Sequence, residues 1–246
     1  MTILNGRTRV ASRNASFHEG VFAGVMLSPL KLVFTLGLGV IAFLLLAWVI
    51  DWVFVFKVWP QGALRLRNIL ADDLAHGVSL VSLQGGGVGA IVGPANFLYE
   101  VVFEVTGIDD MGRQFAERSA LSIPDTIVRR AYVAHREAIE TAMVATQLLG
   151  VRMAVLVRFA PLLVLLCAVG AADGLTARAI RRSCGGRESA SLYHRAKYSQ
   201  MAVLGLGGGA LLVWPGPVWW ELCAGLIVMT MGSLARGQWA YYKKHL

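Results

Sequence analysis

Three charged residues stand inside stretches otherwise suited to hydrocarbon: Asp51, Arg158 and Glu221. A charge at that depth is costly, and as a rule it faces neighbouring helices and pairs with an opposite charge. Asp51 lies five residues before Phe56, Arg158 five after Met153, and Glu221 four after Pro217. All three then fall in one layer near one face of the membrane. This predicts intramembrane ion pairing of Arg158 with Glu221 or Asp51, tying separate helices together. A small transporter or channel built on that layer is the alternative. It would need polar residues through the membrane depth, and a single layer is not a relay.

Other constellations are weaker. Gly85-Gly86-Gly87-Val88-Gly89-Ala90 satisfies the spacing G-x-G-x-x-A. A dinucleotide site needs a strand before such a run and a helix opening directly after it, whose amides hold the pyrophosphate. Gly93-Pro94 interrupts that helix, so cofactor binding is not expected. His18, His76, His135, His194 and His245 are scattered, and no pair sits one turn apart as a metal helix requires. Cys167 and Cys223 lie in apolar runs and Cys184 in a basic loop, with neither a disulfide framework nor a zinc spacing. The best reactive set, His194 with Glu188, Asp173, Ser189 and Cys184, has no evident nucleophile-and-base arrangement. The sequence thus predicts no catalytic, cofactor or metal residue.

The segment from 173 to 197 is the most charged: six basic residues, Arg178, Arg181, Arg182, Arg187, Arg195 and Lys197, against Asp173 and Glu188. An arginine-rich helix stopping at Gly185-Gly186 and a second helix leading back to the membrane predict a basic hairpin. Such a hairpin attracts anionic headgroups, each cation contributing about 1 kcal/mol near the surface. It also suits docking to an acidic partner, with Arg178, Arg181, Arg182, Arg187, Glu188, Tyr193, His194 and Arg195 as the contacting residues. No aromatic platform alternates with the cations, so direct DNA contact is not expected.

The elements that must position these residues follow from composition. Of 246 residues, 56% are hydrophobic and 15% charged, with mean hydropathy +0.60. A soluble domain carries about a quarter charged residues. An all-α integral membrane protein with four transmembrane helices is expected. Span one covers residues 32–56 and span two 151–172, its apolar run being Met153–Ala172. Spans three and four, Tyr198–Trp214 and Val218–Leu234, form a hairpin within 198–235, turned by Pro215-Gly216-Pro217. In span three the Gly205-x-x-x-Gly209 pair predicts close helix packing. The N-terminus is not expected to be a cleavable signal, because its basic lead is long and a full span follows.

Charge orients the spans. Segment 1–31 carries net +3, 173–197 net +4 and 235–246 net +3, whereas 57–150 carries net −2. The positive-inside rule puts both termini and the hairpin loop in the cytoplasm and 57–150 outside, as a mainly helical segment. Tryptophans 48, 52, 59, 214, 219 and 220 then belt one interface. The uncharged stretch 77–99 reads as interfacial or re-entrant, since one further crossing would reverse the basic loop.

Within that loop, Asp173-Gly174-Leu175, Arg181-Arg182, the Gly-Arg-Glu-Ser run 186–189 and Tyr193-His194 resemble the signature of integrating conjugative element membrane proteins. These are multi-span proteins of conjugative type IV secretion loci. The Lys243-Lys244 ending is similar too, while 60–125 diverges. The resemblance implies a bacterial inner-membrane location and a part in DNA transfer. It also implies a non-catalytic accessory subunit packed against the membrane anchor of the coupling protein ATPase. The composition is compatible with a homo-oligomer and with lipid contacts.

Overall fold

A computed structural model describes residues 31, 33–117, 123–184 and 190–242, all of them in helices and the turns between. Arg187, Glu188 and the Lys243-Lys244 ending lie outside the described residues, as does nearly all of the basic segment 1–31. The helices are α1 (Val33–Val58, closing in a π-helical turn at Phe54–Val58), α2 (Ala63–Leu83) and α3 (Gly89–Tyr99, prolonged by a π turn, Glu100–Glu104). After them come α4 (Ile108–Glu117), α5 (Ile123–Ala134), α6 (Arg136–Arg158) and α7 (Ala160–Ser183). The chain ends in α8 (Ala190–Ala202), a π turn (Val203–Gly208), α9 (Gly209–Val213) and α10 (Trp220–Ala240). The chain divides into two units, Met1–Phe43 and Leu44–Leu246. The described part of the first is the start of α1, whose Val33, Phe34, Leu36, Leu38 and Ile41 are exposed.

The second unit is organised along α6 and α7, which continue one another from Arg136 to Ser183. At a rise of 1.5 Å per residue, 48 residues extend about 72 Å, more than twice a bilayer's hydrocarbon core. The junction at Phe159 has a cause: Pro161 has no N–H to return to the carbonyl four residues back, and its fixed φ suits the first turn of a new helix.

Around α6 pack α2, α3 and the later part of α1. Trp48 Nε1 donates to Thr146 Oγ1 (3.0 Å) and Trp52 Nε1 to the Ala138 carbonyl (2.9 Å), so α1 runs antiparallel to α6. Indole N–H groups seek such partners when buried. Leu66, Ile69, Val144, Ala145 and Leu148 form one core and Val81, Ile91, Val151, Val155 and Trp220 the other. The stretch 77–99 is thus part of a helical hairpin, and its apolar side is spent on α6.

The second bundle joins α7, α8–α9 and α10. Gly170 lies against Gly232 and Gly174 against Arg236 and Ala240, so α7 and α10 run parallel. The helix between them returns, with Gly207 near Ile227 and Ala196 near Gly237. Outward faces stay apolar: Val164, Leu165 and Val169 on α7, Leu222, Leu226 and Met229 on α10. Two helices, Val33–Val58 and Arg136–Ser183, are long and apolar enough to cross a membrane. The 198–235 hairpin is helical but more polar, with Lys197, Glu221 and Arg236 in or beside it.

Candidate functional site

Where α2, α6 and the Trp214–Pro217 turn meet, the structure buries an arginine that sequence reasoning passed over. Arg152, at 1% exposure, donates from Nε to Asp73 Oδ2 at 2.8 Å. Its Nη1 donates to the Trp214 carbonyl and its Nη2 to the Gly216 carbonyl at 2.9 Å. The other Asp73 oxygen accepts from Trp220 Nε1 at 3.1 Å. Asp51, also buried, lies within range of the Arg152 charge. Arg152 and both oxygens of Asp73 thus find partners, the condition under which a buried charge is tolerable. Asp73 sits at a defined place: Leu66, Ile69, Asp73, Gly77 and Val81 are the buried face of α2, spaced three or four apart.

One turn on from Asp73, His76 faces the residue after Trp220. Its Nε2 lies 2.6 Å from Glu221 Oε1, a close polar approach rather than an aligned hydrogen bond. Two residues of α2 therefore hold the first two residues of α10. On the outer rim Glu140 bridges Arg67 (3.0 Å) and Arg136 (2.7 Å), and its hydrogen bond and charge raise Arg136 above the ordinary guanidinium value.

The expected pairing among Asp51, Arg158 and Glu221 is corrected by this geometry. Asp51 faces Arg152, Glu221 faces His76, and Arg158 has no ion pair among the described residues. Six residues beyond Arg152, Arg158 is about 240° around the helix. It lies instead by Gly86, in a groove it lines with Gln84, Pro94 and Met153. The glycine-rich run there is a helix stop. Gly85, at φ +71°, donates to Ser82, and Gly86 donates to Val81 at 2.9 Å, the Schellman pattern that ends α2. A helix precedes the run where a dinucleotide site needs a strand.

The helix-packing expectation also moves. A Cβ on Gly205 would meet nothing within 4 Å, while Gly209 is buried. The π turn at Val203–Gly208 accounts for this, since its wider winding shifts the register on which the spacing argument rested. The pair that brings backbones together is Gly170-x-x-x-Gly174 on α7. Added Cβ atoms there would collide with the Gly232 and Arg236 carbonyls of α10. Gly150 similarly admits the Ala95 backbone of α3.

At the opposite end of the second bundle, the basic hairpin folds onto the end of α10. The Arg181 guanidinium lies 4.1 Å from the Tyr241 ring centroid and donates to the Ala240 carbonyl at 3.0 Å, while Arg178 lies 5.4 Å from Tyr242. Tyr193 meets Tyr242 edge-on, and His194 stacks on Tyr198. Arg236 pairs with Asp173. Arg178, Arg181 and Tyr193 are therefore occupied within the fold. Arg182, Arg195 and Lys197 point outward as exposed cations. Among the described residues, no three His, Cys, Asp or Glu side chains converge as metal ligands.

A family model described as DtrJ-like, IncC plasmid conjugative DNA transfer protein, matches residues 58–234. That stretch includes α2 to α9 and most of α10, and it is well over half of the chain. The match supports the conjugative part of the resemblance noted in the sequence, and not specifically integrating conjugative element membrane proteins. No curated protein and no solved structure matches significantly.

Proposed function

The chain belongs to the DtrJ-like family of IncC plasmid conjugative DNA transfer proteins, and from that premise we propose a non-catalytic accessory subunit of the transfer apparatus in the bacterial inner membrane. In this reading it has four spans and cytoplasmic termini, and it packs against the membrane anchor of the coupling protein ATPase of a type IV secretion system. The observation that carries the reading is the extent of the family match, which takes in both helix bundles. Two helices fit for crossing, and the outward apolar faces of α7 and α10, support a membrane setting. The positive-inside asymmetry supports the orientation. That Arg152, Asp73 and Trp220 are engaged in joining three elements supports a structural use of the buried polar residues. The exposed Arg195 and Lys197 are cations available to meet an acidic surface or anionic headgroups. A transporter would need Asp51, Arg158 and Glu221 in one polar layer, and their contacts are separate.

The test is deletion of the gene in a conjugative donor, with coupling protein level and placement monitored. The expected outcome is loss of transfer with the ATPase stable, together with stoichiometric recovery of the ATPase in mild-detergent purification. Unchanged transfer would sink the proposal. Recovery of the protein alone, despite loss of transfer, would remove the coupling-protein contact.

A further inference from the structure

An open groove of about 760 Å³ runs beside the Trp214–Pro217 turn, walled by Ile50, Phe54, Ile69, Val213 and Trp214. Arg65 is the cation in its lining. A second groove, about 340 Å³, opens on the other side of Trp214 and is walled by Leu211, Val218 and Trp219. The two share Ala210, Trp214 and Pro217, so they are adjoining channels with one indole between them.

Arg65 differs from its neighbours on α2. Arg67 is taken up by Glu140 and Asp73 by Arg152. Arg65 is exposed and has no ion pair among the described residues. Trp59, Trp214 and Trp219 surround the grooves, and indoles favour the depth where headgroups begin. Walls so apolar disfavour a soluble metabolite. Two adjoining channels with one unpaired cation match two acyl chains and one phosphate.

We propose that this paired groove is a binding site for a single anionic phospholipid, its chains on either side of Trp214 and its phosphodiester at Arg65. The proposal rests on the membrane reading given above. The site joins α1, α2 and the α9–α10 turn, three elements that Arg152 also gathers, so a bound lipid would seal the side of that junction facing the bilayer.

The experiment separates failure of the site from failure of the membrane reading. Host membranes are first washed with alkaline carbonate. Release of the chain would overturn both readings. If it is retained, the full-length protein is purified in mild detergent and offered an equimolar mixture of phosphatidylglycerol and phosphatidylethanolamine. Bound lipid is then counted by native mass spectrometry. Wild type is expected to hold one phosphatidylglycerol. Arg65→Ala should reduce its retention about fivefold, the factor for one cation near an anionic headgroup, and abolish the preference over phosphatidylethanolamine. Arg65→Lys should restore the preference. Ala210→Phe, which puts a ring where the two grooves adjoin, should weaken the binding of both lipids alike, and Arg67→Ala should change neither. Equal phosphatidylglycerol retention by wild type and Arg65→Ala would overturn the site, as would lipid held undiminished by Ala210→Phe. Copurification of a polypeptide in place of lipid would also overturn it. Arg65 is exposed, so its replacement leaves the fold intact.

Discussion

The bundle around α6 and the bundle around α7 are built from one continuous pair of helices but held by different means. Around α6, polar side chains reach between helices: Arg152 to Asp73 and the Trp214 turn, Trp48 to Thr146, Trp52 to the Ala138 carbonyl. Around α7, glycines remove side chains so that backbones touch, Gly170 and Gly174 against α10. The difference follows from what each must solve. A helix with an acid on its inner face, as α2 has, must bring a partner for it or leave a buried charge exposed to a low dielectric. A helix stretch that is apolar on every face, as α7 is from residue 160 to 172, gains nothing by exchanging lipid for another apolar side chain, so close dispersion contact becomes the source of association.

The largest effect should come from breaking the polar bundle at its centre. Arg152→Met leaves Asp73 buried without its cation, and removing one partner of such a pair costs about 3–5 kcal/mol. Thermal unfolding of the detergent-solubilised protein should show a large fall in midpoint. The double variant Arg152→Met with Asp73→Leu should recover part of it, because Asp73 is then no longer a buried carboxylate without its cation, while Asp51 still loses the nearby Arg152 charge. Arg158→Met should be close to neutral. If Arg158→Met were the more damaging of the two, the assignment of the buried node to Arg152 would be wrong.

The glycine bundle offers the next test. Gly170→Ala places a Cβ on the Gly232 carbonyl, so α7 and α10 must separate; overpacking of this kind costs about 1–3 kcal/mol. Gly205→Ala, in open space, should be neutral or slightly stabilising by helix propensity. Comparing unfolding midpoints of the two variants decides which Gly-x-x-x-Gly pair holds the bundle. Equal effects would mean that neither approach is tight.

Much of this was legible beforehand, and the misses have physical causes. The helical character and the hairpin turn at Pro215-Gly216-Pro217 follow from local rules that the chain obeys. Arg152 was missed because it stands one residue before the apolar run that begins at Met153, where an arginine reads as a flank. The signal that could have found it was on α2. Leu66, Ile69, Gly77 and Val81 set out a buried stripe, and Asp73 falls on it, which demands a cation from elsewhere. Gly170 and Gly174 were equally visible in the sequence. Gly205 and Gly209 drew attention instead because Gly207 and Gly208 lie between them, and no rule of spacing foretold the π turn that rotates Gly205 away. The pairing of His76 with Glu221 depends on α10 arriving beside α2, a tertiary fact that no periodicity contains.

The smallest effect separates cations serving the fold from those left for a partner. Arg181 lies over the Tyr241 ring and donates to the Ala240 carbonyl, while Arg195 is exposed on α8. A cation–π contact at an accessible site contributes about 0.5–1 kcal/mol. Arg181→Ala should therefore lower the unfolding midpoint slightly, and Tyr241→Leu should have a similar effect that is not additive with it, since both remove one contact. Arg195→Ala should leave the midpoint unchanged but weaken retention on anionic vesicles, or recovery of a cytoplasmic partner. Measured together, stability and capture sort the hairpin's arginines into two groups. If Arg181→Ala reduced capture without touching stability, the ring would not be its partner in solution, and the whole hairpin would have to be counted as docking surface.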